Sequence, residues 1–199
     1  SIEGDWLVLG DKSGSMEVAI ETAAHVTAAL SRLVKGKVYL VFFDISPTYI
    51  DATGKTYEEL KAETKRITAN GGTSVGVGLG LAMSRGWNVD GIAIVSDMEE
   101  NTPPMFAERY KRFVTEYDKE PPVYLYRVGP GQAHWSNQDL AKSLKTAGIE
   151  FTEFNLGHGN IDYYSLPTII QTMRADKYQL SEEILGTKLL KVADVLKGK

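Results

Sequence analysis

Short apolar runs alternate along this chain with longer segments in which apolar residues recur at helical spacing. Trp6-Leu7-Val8-Leu9 is an unbroken apolar run ending in Gly10-Asp11, which predicts a strand buried on both faces in a parallel sheet. From Ser15 to Lys35 the residues Val18, Ala19, Thr22, Ala23, Val26, Ala29, Leu30 and Leu33 mark one face of a helix that Gly36 stops. Lys37 to Phe43 reads as a second buried strand. Thr48 to Ile50, reached through Ile45-Ser46-Pro47, follows too closely for a crossover and suits a short antiparallel return. Helices are expected over Tyr57–Ile67 and Ser74–Arg85, then a buried strand over Ile92–Val95. Pro103-Pro104 is expected to open another helix, since proline is tolerated in a first turn. Strand Val123–Val128, helix Gln138–Ala147, strand Glu150–Phe154 and helical segments over Leu166–Met173 and Leu180–Leu196 complete the pattern.

Such alternation predicts an α/β fold: a doubly wound, mostly parallel sheet with one short antiparallel strand and helices on both faces. The expected organisation is a single domain over 1–199, with a core over about 4–154 and a C-terminal helical segment over about 162–199. In folds of this kind ligands bind beyond the carboxyl ends of the strands, near the point where strand order reverses. The ends of the strands are therefore where chemistry is to be sought.

Composition narrows the function. With 199 residues, 43% hydrophobic and 24% charged, the chain can bury a substantial core, which excludes disorder. The 22 basic and 26 acidic residues give a net charge of -4 with no Lys/Arg cluster, which argues against a direct nucleic-acid partner. The absence of cysteine removes disulfides, thiolate metal sites and cysteine nucleophiles. No apolar run approaches the roughly 18 to 20 residues of a membrane span and no signal peptide is evident, so the expected setting is soluble and, by default, cytoplasmic. The chain opens on a strand almost at once, which fits a domain taken from a longer protein or complex.

Three stretches carry candidate chemistry. Asp11-Lys12-Ser13-Gly14-Ser15 places three oxygen-bearing side chains at alternate positions, so that they can converge where the chain curls into the following helix. Taken alone, this could equally be a strand-to-helix turn in which Ser13 or Ser15 caps the helix. Asn70-Gly71-Gly72-Thr73-Ser74 delivers a hydroxyl just before a helix, and Val95-Ser96-Asp97 puts a carboxylate at the end of a buried strand. If the first strand runs up, the order of elements returns Thr73 and Asp97 to that same upper edge, provided that the return strand is antiparallel.

This three-part pattern resembles the metal-ion-dependent adhesion site of von Willebrand factor A (vWA) domains, and the similarity in order covers about Gly4 to Phe154. The resemblance implies a Rossmann-like fold and a site of Asp11, Ser13, Ser15, Thr73 and Asp97. In that family the serines and threonine bind the ion directly or through water, and the aspartates mostly hold its waters. All-oxygen ligation suits Mg²⁺, with Mn²⁺ as a substitute. The implied function is non-enzymatic: the cation captures an Asp or Glu side chain of a partner protein. In some relatives, movement of the threonine loop is coupled to the last helix. Thr73 and Leu180–Leu196 are the counterparts here, the alternative being a fixed terminal helix that only closes the core.

Some residues depart from the family pattern. Lys12 brings a cation beside the first aspartate and is expected to point away from the ion; curled inward, it would weaken metal binding. Met98-Glu99-Glu100-Asn101 follows Asp97 where the family often has glycine. Glu99 and Glu100 are either solvated loop residues or part of a rim that discriminates among partners. Asp44, at the end of the second strand, either joins that rim or starts the Asp44-Ile45-Ser46-Pro47 turn. Two other function classes compete. One is a scaffold subunit that keeps the fold without the metal. The other is a hydrolase using the Asp/Ser cluster, with His25, His134 or His158 as partner. A P-loop, a Gly-x-Ser-x-Gly elbow and a second aspartate at position 13 are all missing, and the glycines at 72, 76, 78 and 80 do not form a dinucleotide fingerprint. Those glycines are instead expected to let a helix approach the sheet closely.

Overall fold

Strands whose side chains are apolar on both faces require cover on both, and the sheet meets that demand. The computed structural model describes residues 2–14, 17–68, 71–129, 137–157 and 159–173. In chain order the elements are β1 (Trp6–Asp11), α1 (Glu17–Leu33), β2 (Val38–Phe43), β3 (Pro47–Asp51), α2 (Tyr57–Thr64), α3 (Gly76–Ser84), β4 (Gly91–Ser96), α4 (Phe106–Tyr117), β5 (Val123–Val128), α5 (Leu140–Thr146) and β6 (Phe151–Gly157). Every residue of β1, β2, β4 and β5 is buried, whereas β3 and β6 are the partly exposed edges. The strand order is β3-β2-β1-β4-β5-β6, parallel throughout except for the antiparallel β2–β3 pair. The short return strand is therefore real. The chain leaves β1 toward β2 and later comes back to its other side with β4, so strand order reverses between β1 and β4.

Side chains alternate across the sheet and sort the helices onto its two faces. Leu7, Leu9, Ile92, Ile94 and Leu125 form one core with Leu79 of α3, Phe106 and Phe113 of α4 and Leu144 of α5. On the other face, a Cβ placed at Gly10 would meet Phe42 and Ala23, so α1 lies close against β1 and β2 there. The capping box of Thr56 with Glu59 fixes the start of α2, and the Asp139 carboxylate caps α5 by accepting the N–H of Ala141.

One expected boundary is corrected. Pro103-Pro104 does not begin a helix; α4 starts at Phe106. The carbonyl of Pro104 accepts the Ser74 hydroxyl at 2.7 Å, which anchors the segment before the helix, and the Phe106 N–H donates to the Glu100 carboxylate at 3.0 Å, which caps its start. Toward the C-terminus the chain divides into units 1–163 and 164–199. In the second unit, residues 166–173 are helical, while the predicted helix over Leu180–Leu196 lies outside the described residues. No described helix is long and apolar enough to cross a membrane.

The glycines of α3 serve different neighbours. A Cβ at Gly76 would stand 2.2 Å from the Pro104 carbonyl oxygen, and one at Gly78 would stand 2.6 Å from Leu9 Cδ2, whereas at Gly80 the nearest atom is Arg109 Nε at 3.7 Å. Close packing on the sheet thus accounts for Gly78, and the backbone before α4 accounts for Gly76. Gly76→Ala should destabilise by about 2 kcal/mol, because backbone must move. Gly80→Ala should stabilise by about 0.5–1 kcal/mol, through higher helix propensity at an open position. Urea midpoints at unchanged slope report both.

Candidate metal centre

Asp11 is the last residue of the central strand β1 and is fully buried. Its Oδ1 accepts the main-chain N–H of Ser13 at 2.8 Å and the Ser13 hydroxyl at 2.5 Å, while its Oδ2 accepts the hydroxyl of Ser96, at the end of β4, at 2.6 Å. Thr73 in turn donates its hydroxyl to Ser13 Oγ at 2.9 Å. Residues distant in sequence thus form one buried run of oxygens, Thr73 to Ser13 to Asp11, with Ser96 closing the other side. It lies at the carboxyl ends of β1 and β4, where strand order reverses. Asp97, the residue after β4, is half-buried, and its Oδ1 accepts the Glu99 N–H at 2.9 Å. Ser15 lies outside the described residues.

Burial dominates the electrostatics of this edge. It pushes the Asp11 carboxyl up to about 7, against the hydrogen bonds from Ser13 and Ser96, and the nearby Asp97 charge adds to the rise. Burial also raises Asp97 above its ordinary value, with its bond from the Glu99 N–H opposing. Lys12 does not relieve Asp11. Its ammonium stands 3.4 Å from Asp44 Oδ2, and both side chains are buried.

The three residues expected on a partner-facing rim have different fates. Asp44 is buried; besides pairing with Lys12 it accepts the N–H and hydroxyl of Ser46, the turn-starting role. Glu100 is also buried. Its carboxylate accepts the N–H groups of Val75 (2.7 Å) and Gly76 (3.1 Å) where α3 begins, and that of Phe106 (3.0 Å) at the start of α4. One carboxylate thus serves two helix N-termini, where unpaired N–H groups and the helix dipole favour negative charge. Burial nevertheless lifts it to about 7. Glu99 alone of the three is left partly open.

Sequence reasoning missed the groups that hold these loops in place. The Thr73 N–H donates to Asn101 Oδ1 at 2.9 Å, and the Thr73 carbonyl accepts the N–H groups of Asn101 (3.0 Å) and Thr102 (2.9 Å), so the two loops are laced together. Arg127 of β5 is buried and donates to the Asp97 carbonyl at 3.1 Å, to Asp139 at 3.0 Å and to Glu153. A lone arginine in an otherwise apolar strand was the one available sign, because a buried guanidinium needs several acceptors.

Among the described residues, no three His, Cys, Asp or Glu side chains cluster to hold a metal. A cation here would depend on the hydroxyl oxygens of Ser13 and Thr73 beside one buried carboxylate. That donor set fits a hard divalent ion. Asp11 has no basic partner among the described residues, and a cation would supply the missing charge.

No family model and no curated protein matches the sequence. Among solved structures the chain is similar to the conserved hypothetical protein BatB from Bacteroides thetaiotaomicron (17% identity over 88% of this chain and 100% of that one, TM-score 0.55). It is also similar to an aerotolerance-related membrane protein from Bacteroides fragilis (17% identity, 86% and 98%, TM-score 0.54). A third similarity is to proximal thread matrix protein 1 from the mussel byssus, solved with zinc in its MIDAS motif (14% identity, 86% and 47%, TM-score 0.56). At these identities the likeness is one of fold, and the architecture is vWA-like and Rossmann-type.

Asp11 and Glu100 both sit above their ordinary values of 3.8 and 4.5. Their contribution to the stability of the metal-free protein is therefore full below those values and is lost as pH rises through about 7. In the presence of chelator, the urea midpoint should fall from about pH 4.5 to about pH 8, and Asp11→Asn should flatten part of that fall. A midpoint that rises over this range contradicts the assignment.

Proposed function

We propose that the domain is a cation-dependent protein-binding module. Ser13 and Thr73, with Ser15, offer hydroxyl oxygens to Mg²⁺ or Mn²⁺, Asp11 and Asp97 hold its waters, and an Asp or Glu side chain of a partner protein completes the coordination. The observation that carries this reading is the buried run from Thr73 through Ser13 to Asp11, three oxygen-bearing groups brought together at the switch point of the sheet. When bound, the ion supplies positive charge that a neutral hydroxyl set only partly offsets, which favours an external anion.

The chain's own residues prepare that encounter. Ser96 orients Asp11 from β4, and Asn101 and Thr102 fix the main chain that presents the Thr73 hydroxyl. Glu99 remains near the mouth, where its charge selects against partners with a second acidic group close to the first. The reading is of recognition rather than catalysis. His25, the one histidine among the described residues, is stacked between Tyr57 and Tyr163 at ring separations of 3.7 and 3.8 Å and has a structural role there.

Calorimetric titration with MgCl₂ or MnCl₂ near pH 8 should give one site per chain, weakened at least about tenfold, or about 1.4 kcal/mol, in Ser13→Ala and in Thr73→Ala. Folding of each variant is checked by its urea midpoint. Identical titrations for wild type and both variants would remove the metal from the account and leave the metal-free scaffold. Proteins retained by the immobilised domain in Mg²⁺ should be released by EDTA; retention unchanged by EDTA would place recognition on another surface.

A further inference from the structure

A cavity of about 510 Å³ opens at the other end of the sheet, beside the start of β2 and the end of β3. Its size is within the range of small-ligand sites. The floor is aromatic: Tyr39 and Trp87 stack at 4.0 Å with their planes 9° apart, and Tyr49 stands tilted against both. Burial raises both tyrosine hydroxyls above their ordinary value, so they remain neutral and able to donate. One face of Trp87 is committed to Tyr39.

The charged groups around the floor are not balanced. The Arg85 guanidinium lies over Tyr49 and Trp87, 4.9 and 5.4 Å from their ring centres. Stacking uses the faces of a guanidinium and leaves its N–H edge free to donate. Arg85 is exposed, and it has no carboxylate partner among the described residues. The same is true of the Lys37 ammonium, which also lines the cavity. Against these two cations the lining holds one carboxylate, Asp51, whose Oδ1 already accepts the Thr53 N–H at 3.1 Å. Asp5 lies nearby but outside the lining, with its Oδ1 accepting the Lys37 main-chain N–H.

We infer that this cavity is a second binding site, for a small planar anion: an aromatic ring bearing a carboxylate or a phosphate. The ring packs along the partly exposed edges of Tyr49 and Trp87 beside the stacked guanidinium, the anionic group meets the Arg85 edge and Lys37, and a hydrogen-bond donor at the far end of the ring reaches Asp51. Planar, two-pronged capture of carboxylate or phosphate is what a stacked arginine offers, and the pairing is charge-assisted. The site shares no residue with the hydroxyl cluster at the carboxyl edge, so it stands whether or not that edge binds a cation.

The test is an NMR titration of the ¹⁵N-labelled chain with 4-hydroxybenzoate, with phenyl phosphate and with the cation benzamidine, each to low millimolar. The expected result is saturable shifts of the Trp87 indole and of the Tyr39 and Tyr49 amides with one or both anions and none with benzamidine. The carboxylate and phosphate arms show which anionic group is preferred. Arg85→Ala, a surface change that leaves the aromatic floor in place, should weaken binding at least about tenfold, as expected for loss of a charge-assisted contact. Absence of shifts at Trp87 with both anions, equal binding of benzamidine, or anion binding unchanged in Arg85→Ala would each overturn the proposal.

Discussion

The carboxyl edge is organised around a buried carboxylate that no basic group among the described residues balances. Asp11 ends the central strand, is wholly enclosed, and has both oxygens occupied by hydroxyl or main-chain donors from its own loop and from β4. Those bonds lower the cost of burial without removing it, because neutral donors do not supply the missing charge. The result is a site formed by the fold but electrostatically incomplete. That incompleteness, more than any single side chain, is the physical reason to expect a cation there.

Holding such a site in place requires support from behind, and two buried charged groups provide it. Glu100 joins the starts of α3 and α4, so the Thr73 loop and the loop after β4 cannot shift independently without unpairing N–H groups. Arg127 ties the Asp97 carbonyl to Asp139 and Glu153, and so to α5 and the edge strand β6. Truncating Arg127 would take away the guanidinium that Asp139 and Glu153 share, and breaking a buried pair from one side costs about 3–5 kcal/mol. The Lys12–Asp44 pair adds a third brace by neutralising a cation that would otherwise stand beside the site.

Much of this was legible in the sequence because the signals were one-dimensional. Trp6–Leu9 and Ile92–Val95 read as buried strands because parallel strands are apolar on both faces. Asp11, Ser13, Thr73 and Asp97 could be brought to one edge from chain direction alone, once the return at Pro47–Asp51 was taken as antiparallel. What escaped depends on partners remote in sequence. Glu99-Glu100 reads as a solvated acidic pair, yet Glu100 is withdrawn by N–H groups from two helices. Asp44 reads either as a rim carboxylate or as the start of a turn, and the structure gives it the turn, with the Lys12 ammonium that no local pattern foretold folded onto it. Pro103-Pro104 carries a general preference for a first turn, but the N–H that Glu100 caps belongs to Phe106. The cluster of Tyr39, Tyr49 and Trp87 gave no periodic signal, because its members come from two strands and the loop after α3.

The central claim concerns the position of an ion, and anomalous diffraction from crystals grown with MnCl₂ observes it directly. The account predicts one strong manganese peak in contact with Ser13 Oγ and Thr73 Oγ1, adjacent to Asp11, and its absence in crystals of Ser13→Ala. A clear map with no peak at that edge, or with manganese held only by surface carboxylates such as Glu99, would contradict it.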